Sequence, residues 1–488
     1  MASKADRARL PAALLAVALS ALAWWFGSGT YPVWWVTWLA PLPVLWLAPR
    51  VRAPWAALAA FAAYMAGGFN TWPYLHDHLE FPTPLIFAYI ASVGVLMAAC
   101  TLLFRRLLLR GHAVAAALSV PALWVAYEYI NNLLSIHATF FNISYTQADA
   151  LPVIQLVAVT GIWGVGFLLL LVPTVASLQL WPHEARRSRW TIAGFAVLAL
   201  VAMLAYGGWR LQQAPNSAVR IGLVSLKDRG LRPLSSAEGE ARQARYMDAM
   251  QRLVGEGAKI LLIPEASFGT SSATVPAFAS LANERNVTVA AGIAFHFGAS
   301  DARNMLSVFE PDATSPATYS KHHLLLGLEQ FVPGDSFTML DGKPRIGLAI
   351  CKDMDFHDIG HAYAARRAQL LLVPASDFEV DGWLHSRMAV VRGVESGFAV
   401  ARAARAGRLT LSDDRGRVVA EASSEQRDAE LVGDLPLRDT TTIYSRLGDW
   451  FAWLDLVILA GVLVVAVLPR KPSFEDAALG WNLTSKAQ

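Results

Sequence analysis

The chain has 488 residues, 55% of them hydrophobic and 16% charged, with a net charge of +3. Charged residues make up about 25% of a soluble domain, so much of this chain is expected to meet lipid, and the lack of a basic stripe points away from nucleic acid. Two cysteines, Cys100 in an apolar run and Cys351 in a polar region, are too few for a disulfide framework, and their settings argue against pairing.

Apolar runs long enough to cross a bilayer, about 20 residues each, are read at 10–28, 31–49, 54–75, 84–104, 113–130, 152–180 and 190–208, with an eighth at 450–468. Pro32, Pro41 and Pro43 make the second the weakest, and Asp455 sits near enough to one end of the eighth to be interfacial. Ala21-Leu22-Ala23 formally fits a signal-peptidase site, but Trp24, Trp25 and Phe26 follow at once and retention is expected. Basic residues gather after alternate runs: Lys4, Arg7 and Arg9 before the first, Arg50 and Arg52 after the second, and Arg105, Arg106 and Arg110 after the fourth. Arg186, Arg187 and Arg189 follow the sixth, and Arg470 and Lys471 the eighth, while the exits of the third and fifth carry none. The positive-inside rule then puts both termini in the cytoplasm and the region 218–445 on the opposite face. The expected organisation is a seven-helix domain at 1–210, an extramembrane domain at 218–445, an eighth helix at 450–468 and a polar cytoplasmic tail at 471–488.

Within 218–445, short apolar stretches alternate with amphipathic ones. Strands are expected at 219–226, 259–265, 287–295, 345–351 and 369–376, helices at 235–257 and 382–396, and two further strands over 398–422. This alternation predicts an α/β fold with strands packed under helices. Three expected strand ends carry reactive groups: Glu265 in LLIPEASFG, Lys321 in TYSKHHLLLGLEQFVPG and Cys351 in IGLAICKDMDF. Taken singly, the cysteine reads as a core residue, the glutamate as a cap and the lysine as surface. Together they are the parts of an acyl-transfer site: a thiol nucleophile, a carboxylate to take its proton, and an ammonium to hold an oxyanion. Lys352 adds a cation beside the thiol that either lowers its pKa or faces solvent.

The order Glu, Lys, Cys on three strand ends resembles the nitrilase superfamily, whose catalytic domain is an αββα sandwich. Such a domain set among eight spans is similar to the bacterial apolipoprotein N-acyltransferase family, and FFNISYTQADALPVIQLVAVTGIWGVGFLL resembles that family's stretch around its sixth span. The resemblance implies Glu265 as general base, Lys321 as oxyanion-stabilising amine and Cys351 as nucleophile, with Glu329 orienting Lys321. Ile263 and Lys352-Asp353 depart from the family's Trp-Pro-Glu and Cys-Tyr-Glu, Gln330 separates Glu329 from Phe-Val-Pro, and Ser376-Asp377-Phe378-Glu379 replaces Asn-Asp-x-Trp. Asp353 is then the candidate to stand in for the missing glutamate with a shorter reach.

The resemblance implies a fatty acyl group moved from a phospholipid, through a cysteine thioester, to the α-amine of a diacylglyceryl-cysteine lipoprotein, in a bacterial inner membrane and on its periplasmic face. Phe331, Phe337, Phe378 and Trp383 are candidate lipid-facing residues. No cofactor is implied. Metal binding by His76, Asp77, His78 and Glu80 is discounted for want of a second cluster, and His357 and His361 are expected on an exposed helix face. Glu128 is either functional or interfacial. Rival readings are a membrane-tethered amidase that hydrolyses a C–N bond, a relative that acylates another amine, and a transporter or lipid-binding protein.

Overall fold

The computed structural model describes residues 4–183, 186–228, 230–340 and 342–468. The expected tail at 471–488, with Arg470, lies outside them. The chain forms two compact units: Met1–Ile130 with Trp163–Ala202 and Phe451–Gln488, and Asn131–Ile162 with Met203–Trp450.

Six helices among the described residues are long and apolar enough to cross a membrane: Leu10–Gly27, Thr83–Leu109, Ala113–Leu134, Ile162–Gln179, Arg186–Leu211 and Trp450–Val467. Eight were expected. The run 31–49 breaks into the short helices Trp34–Thr37 and Leu42–Leu47 and a 3-10 turn at Ala48–Arg50. Its prolines lack the N–H that a continuous helix needs and clash with the preceding turn. The run 54–75 holds a 16-residue helix, Ala53–Gly68, that passes into 3-10 and π turns. The sixth span starts at Ile162 and not 152, because Gly161 takes φ +66° and ends the helical path. A Cβ there would meet the Tyr444 ring at 2.5 Å, so only glycine fits. Asp455 is fully buried, and neither of its carboxylate oxygens has a hydrogen-bond partner among the described residues.

The second unit is wider than 218–445, since it takes in Asn131–Ile162. It holds two six-stranded sheets. The first has the order β12-β1-β2-β3-β4-β5 and the second β11-β10-β9-β8-β7-β6. Their strands are β1 Ser217–Ser225, β2 Ile260–Thr270, β3 Thr288–Phe295, β4 Arg303–Phe309, β5 Ala317–Ser320, β6 Met339–Leu340, β7 Ile346–Leu348, β8 Leu370–Ser376, β9 Ala399–Arg405, β10 Arg408–Ser412, β11 Val418–Ser423 and β12 Ala429–Leu437. Each sheet has three parallel strands at its centre, β1-β2-β3 and β7-β8-β9, extended by antiparallel strands. Central strands buried on both faces read as continuous apolar runs, as LLLVPAS of β8 does.

A shared core between the sheets contains Leu223, Leu262 and Leu306 from one and Leu348, Leu372 and Leu409 from the other. On the outer face of the first sheet, the helices Ala237–Gly255 and Pro276–Arg285 cover a second core with Met250, Phe268 and Phe278. On the outer face of the second sheet, His357–Ala365 and Gly382–Ser396 cover a third, with Ile359, Tyr363 and Ala389. The four layers run helix, sheet, sheet, helix, as the αββα expectation has it. His357 is buried here, not exposed, and packs edge-on to Tyr444 with ring centroids 5.8 Å apart.

Candidate active site

Glu265 lies inside β2 at a break in the ladder. Pairing with β3 stops after Ile263↔Ala291 and resumes at Phe268↔Ile293. Pro264 has no N–H to give the ladder, and Ala266 takes φ +47°, so the strand bulges and turns Glu265 inward. Gly292 makes room on β3, where a Cβ would stand 2.4 Å from Pro264 O and 2.6 Å from Glu265 Cα.

Lys321 follows β5 directly. Its backbone N–H donates to Asn304 O (2.9 Å) and its carbonyl accepts from Gly334 N (2.8 Å). Its side chain is 0% exposed, and Nζ donates to Glu265 Oε1 (2.7 Å) and Glu329 Oε1 (2.8 Å). Asn304 Nδ2 donates to the same two oxygens, at 2.6 and 3.2 Å. Glu329 Oε2 accepts from Leu325 N at 2.9 Å, which ties the turn between lysine and glutamate to the cluster.

Cys351 stands just beyond β7, at the head of a 3-10 turn, Cys351–Asp355. Its φ of +46° is a left-handed conformation that costs a non-glycine residue of order 1 kcal/mol or more and marks functional positions. The thiol is buried, with Ser376 O at 3.8 Å. Beneath the site Arg402 on β9 grips Asp377 bidentately, at 2.8 and 2.6 Å, with both side chains buried.

The charges of the cluster follow from these contacts. Burial penalises the Lys321 ammonium, but Glu265, Cys351 and Glu329 outweigh it and hold the amine firmly protonated. Burial likewise disfavours the Glu265 carboxylate, yet Lys321 and Asn304 bring its pKa below the usual value. Glu329 goes the other way, pushed up by burial and by the charge on Glu265. The Cys351 thiol is driven well above its ordinary range by burial and then by Glu265. At rest the site therefore holds a neutral thiol beside an ionised glutamate. Since thiolate is the species that alkylates, iodoacetamide labelling of Cys351 is expected to be slow at pH 7 and still climbing above pH 9. A plateau below pH 8 would contradict that charge state.

Asp353, the candidate for the missing glutamate of the Cys-Tyr-Glu pattern, makes its contacts away from the thiol. It is fully buried and turned onto the backbone: Oδ1 accepts from His322 N (3.2 Å) and His323 N (2.9 Å), and Oδ2 from Ile350 N and Tyr319 Oη (both 2.9 Å). Lys352 does not face solvent, being 4% exposed. Of the candidate lipid contacts, Phe331 and Phe378 are half-buried. Phe337 packs outside the second sheet, edge-on to Tyr363 at 5.5 Å and under the Arg366 guanidinium. Trp383 is 3% exposed, with Nε1 donating to Asp149 Oδ2 (3.1 Å). An aromatic label in sequence did not separate these positions, because packing against helices uses the same side chains. Leu326 and Leu328, in the turn between Lys321 and Glu329, are instead 66% and 60% exposed. Asn304 and Arg402 were also missed. Their signal was a polar residue inside an otherwise apolar strand, RNMLSVF and AVARAAR.

Residues 20–175 match the model of the apolipoprotein N-acyltransferase N-terminal domain, and residues 230–444 the carbon-nitrogen hydrolase model. The pairing of these two matches is shared with curated apolipoprotein N-acyltransferases, to which the chain is similar over most of its length. A relative bearing that name in Geobacter metallireducens is 28% identical over 429 residues, 78% of this chain and 81% of its own. Another in Thermotoga maritima is 25% identical over 375 residues, 72% of this chain and 71% of its own. An omega-amidase from Homo sapiens, 28% identical over 266 residues, covers 47% of this chain and 93% of its own length. Among solved structures, an amidase of the nitrilase superfamily from Nesterenkonia AN1 covers 45% of this chain and 93% of its own, at 24% identity and a TM-score of 0.39. The omega-amidase covers less than half of this chain, whereas the N-acyltransferases align over more than two thirds of it. The chain is accordingly a membrane N-acyltransferase built on a nitrilase-like domain.

Proposed function

We propose that the chain transfers a fatty acyl group from a membrane phospholipid to the N-terminal α-amine of a diacylglyceryl-cysteine lipoprotein, by way of a thioester on Cys351. The observation that carries this reading is the cluster of Glu265, Lys321 and Glu329 beside the strained Cys351. In the first step Cys351 Sγ bonds to the ester carbonyl carbon as its proton passes to Glu265. The C–O bond then breaks, and that proton leaves with the lysophospholipid hydroxyl. In the second step the amine nitrogen bonds to the thioester carbon, gives its proton to Glu265, and the C–S bond breaks to return the thiol. Lys321 has three N–H donors. Two hold Glu265 and Glu329, which leaves a third for the oxyanion of each tetrahedral intermediate.

Both substrates are lipid-anchored, so a site near the bilayer raises their effective concentration. The exposed Leu326 and Leu328, on the turn tied to Glu329, supply an apolar surface for acyl chains. The distribution of Arg50, Arg52, Arg105, Arg106 and Arg110 supports a catalytic domain on the extracytoplasmic face of the inner membrane.

The test uses the full chain in vesicles with a phospholipid radiolabelled in its acyl group. A hydroxylamine-sensitive label is expected on the protein, absent in Cys351→Ala, and expected to move to an added diacylated lipopeptide. Labelled protein that releases only free fatty acid would establish the amidase-like, hydrolytic alternative instead.

A further inference from the structure

The reaction above leaves Lys352 without a task, although it follows the nucleophile directly. Among the described residues its ammonium donates one hydrogen bond, to His137 Nδ1 at 3.0 Å. Asp355 Oδ2 is 4.0 Å away, outside hydrogen-bonding range, and the centroid of the Phe356 ring is at 5.8 Å. An ammonium has three donors, and a buried donor without a partner is costly. His137 brings no countercharge, because burial and Lys352 itself pull its imidazole down to about 4 and keep it a neutral acceptor.

The presentation of this cation is built rather than incidental. His137 precedes Ala138 at φ +45°. Thr139 Oγ1 then donates to Asp355 O at 2.6 Å, and the Phe140 ring stacks on His385 at 5.5 Å. Lys352 follows Cys351 in the same 3-10 turn with its side chain 4% exposed, and after burial the Asp355 carboxylate is what acts most on it. Glu265, Lys321, Asp377 and Arg402 are the charges that act most on the thiol. A buried cation one residue from Cys351, with one hydrogen bond and its nearest carboxylate at 4.0 Å, is placed to meet an anion carried by the substrate.

We propose that Lys352, presented by His137, binds the phosphate of the phospholipid donor while Cys351 attacks its acyl ester. The inference rests on the phospholipid-donor reading. A phosphodiester lies a few bonds from the ester on the glycerol unit, and an N–H donor on a cation binds a phosphate oxygen more strongly than a neutral donor does. Lys352 would then select donors that carry a phosphate over neutral acyl esters.

The experiment compares kcat/KM for Cys351 acylation by a phospholipid and by p-nitrophenyl palmitate, both in vesicles with the full chain. Lys352→Met is expected to lower the ratio of phospholipid to p-nitrophenyl ester at least tenfold, mainly through KM, and Lys352→Arg to restore most of it. His137→Gln is expected to lower it by a smaller factor. An unchanged ratio in Lys352→Met overturns the proposal. Should that variant not fold, competition in the unmodified protein decides. There, sn-glycerol 3-phosphate is expected to inhibit acylation by phospholipid more strongly than inorganic phosphate, and equal inhibition would assign the site to free phosphate and overturn the lipid assignment. A protein labelled by p-nitrophenyl palmitate but by no phospholipid would overturn the donor reading itself, a result distinct from an unchanged ratio.

Discussion

Lys321→Met is expected to slow acylation of Cys351 by about 10³-fold or more. Loss of a single oxyanion donor costs about 10²–10³ in rate, and here two further effects add to it. Glu265 and Glu329 each lean on the ammonium through Oε1, so its removal leaves two carboxylates in one buried place. Such a pair cannot both stay ionised, and one takes up a proton at neutral pH. Wherever that proton comes to rest on Glu265, the base is lost as well. Breaking a buried ion pair on one side costs about 3–5 kcal/mol, though proton uptake relieves part of it, so a lower melting temperature is expected with the fold retained. The residual rate is expected to rise with pH as the shared proton is lost, whereas the unmodified enzyme, with Glu265 held ionised by Lys321, is expected to show no such rise between pH 6 and 8. A quenched-flow measurement of acyl adduct across that range checks both points. A loss below tenfold would mean that Lys321 is a structural counter-ion only.

The parts of this site differed in how far the sequence disclosed them. Glu265 and Cys351 stood out because each interrupts or ends an apolar run, where burial of a reactive group needs a reason, and Lys321 because it ends a β-favouring stretch. The sandwich was visible for the same cause: central strands such as LLLVPAS have no exposed face to dilute the pattern. Edge elements were not. β6 and β12 went unread because edge strands are short or mixed in polarity, and β12 pairs with β1 across some 200 residues of chain; β4, inside its sheet, went unread because Arg303, Asn304 and Ser307 break its apolar pattern. The roles of Lys352 and Asp353 were also hidden. A charge next to a nucleophile reads the same whether it faces solvent, a substrate or the backbone, and only the positions of His137, from a distant loop, and of His322 and His323 decide between these. The broken second span shows a further limit, since hydropathy counts apolar residues but proline decides whether they form one helix.

Asp353→Asn is expected to be the most damaging conservative change in the domain. The carboxylate joins the segment that carries Cys351 to the segment that carries Lys321: Ile350 N sits one residue before Cys351, and His322 N one residue after Lys321. Burial pushes this carboxyl up, while the amides of His323 and Ile350 pull it back toward the charged form. All four of its hydrogen-bond partners point donors at it. An asparagine keeps the shape but turns an NH₂ group toward either the two histidine amides or Ile350 N and Tyr319. Tyr319 can rotate its hydroxyl to accept; backbone amides cannot. At least one amide is left facing a donor, at about 1–3 kcal/mol for each buried group that loses its acceptor, so a loss of about 3 kcal/mol in stability is expected. The left-handed turn at Cys351 then loses one of its fixed ends, and a displacement of about 1 Å at a nucleophile costs about 10² in rate. Thermal unfolding and adduct formation measured on one preparation test the coupling. An Asn variant within threefold of the unmodified rate would show that β7 alone sets the position of Cys351.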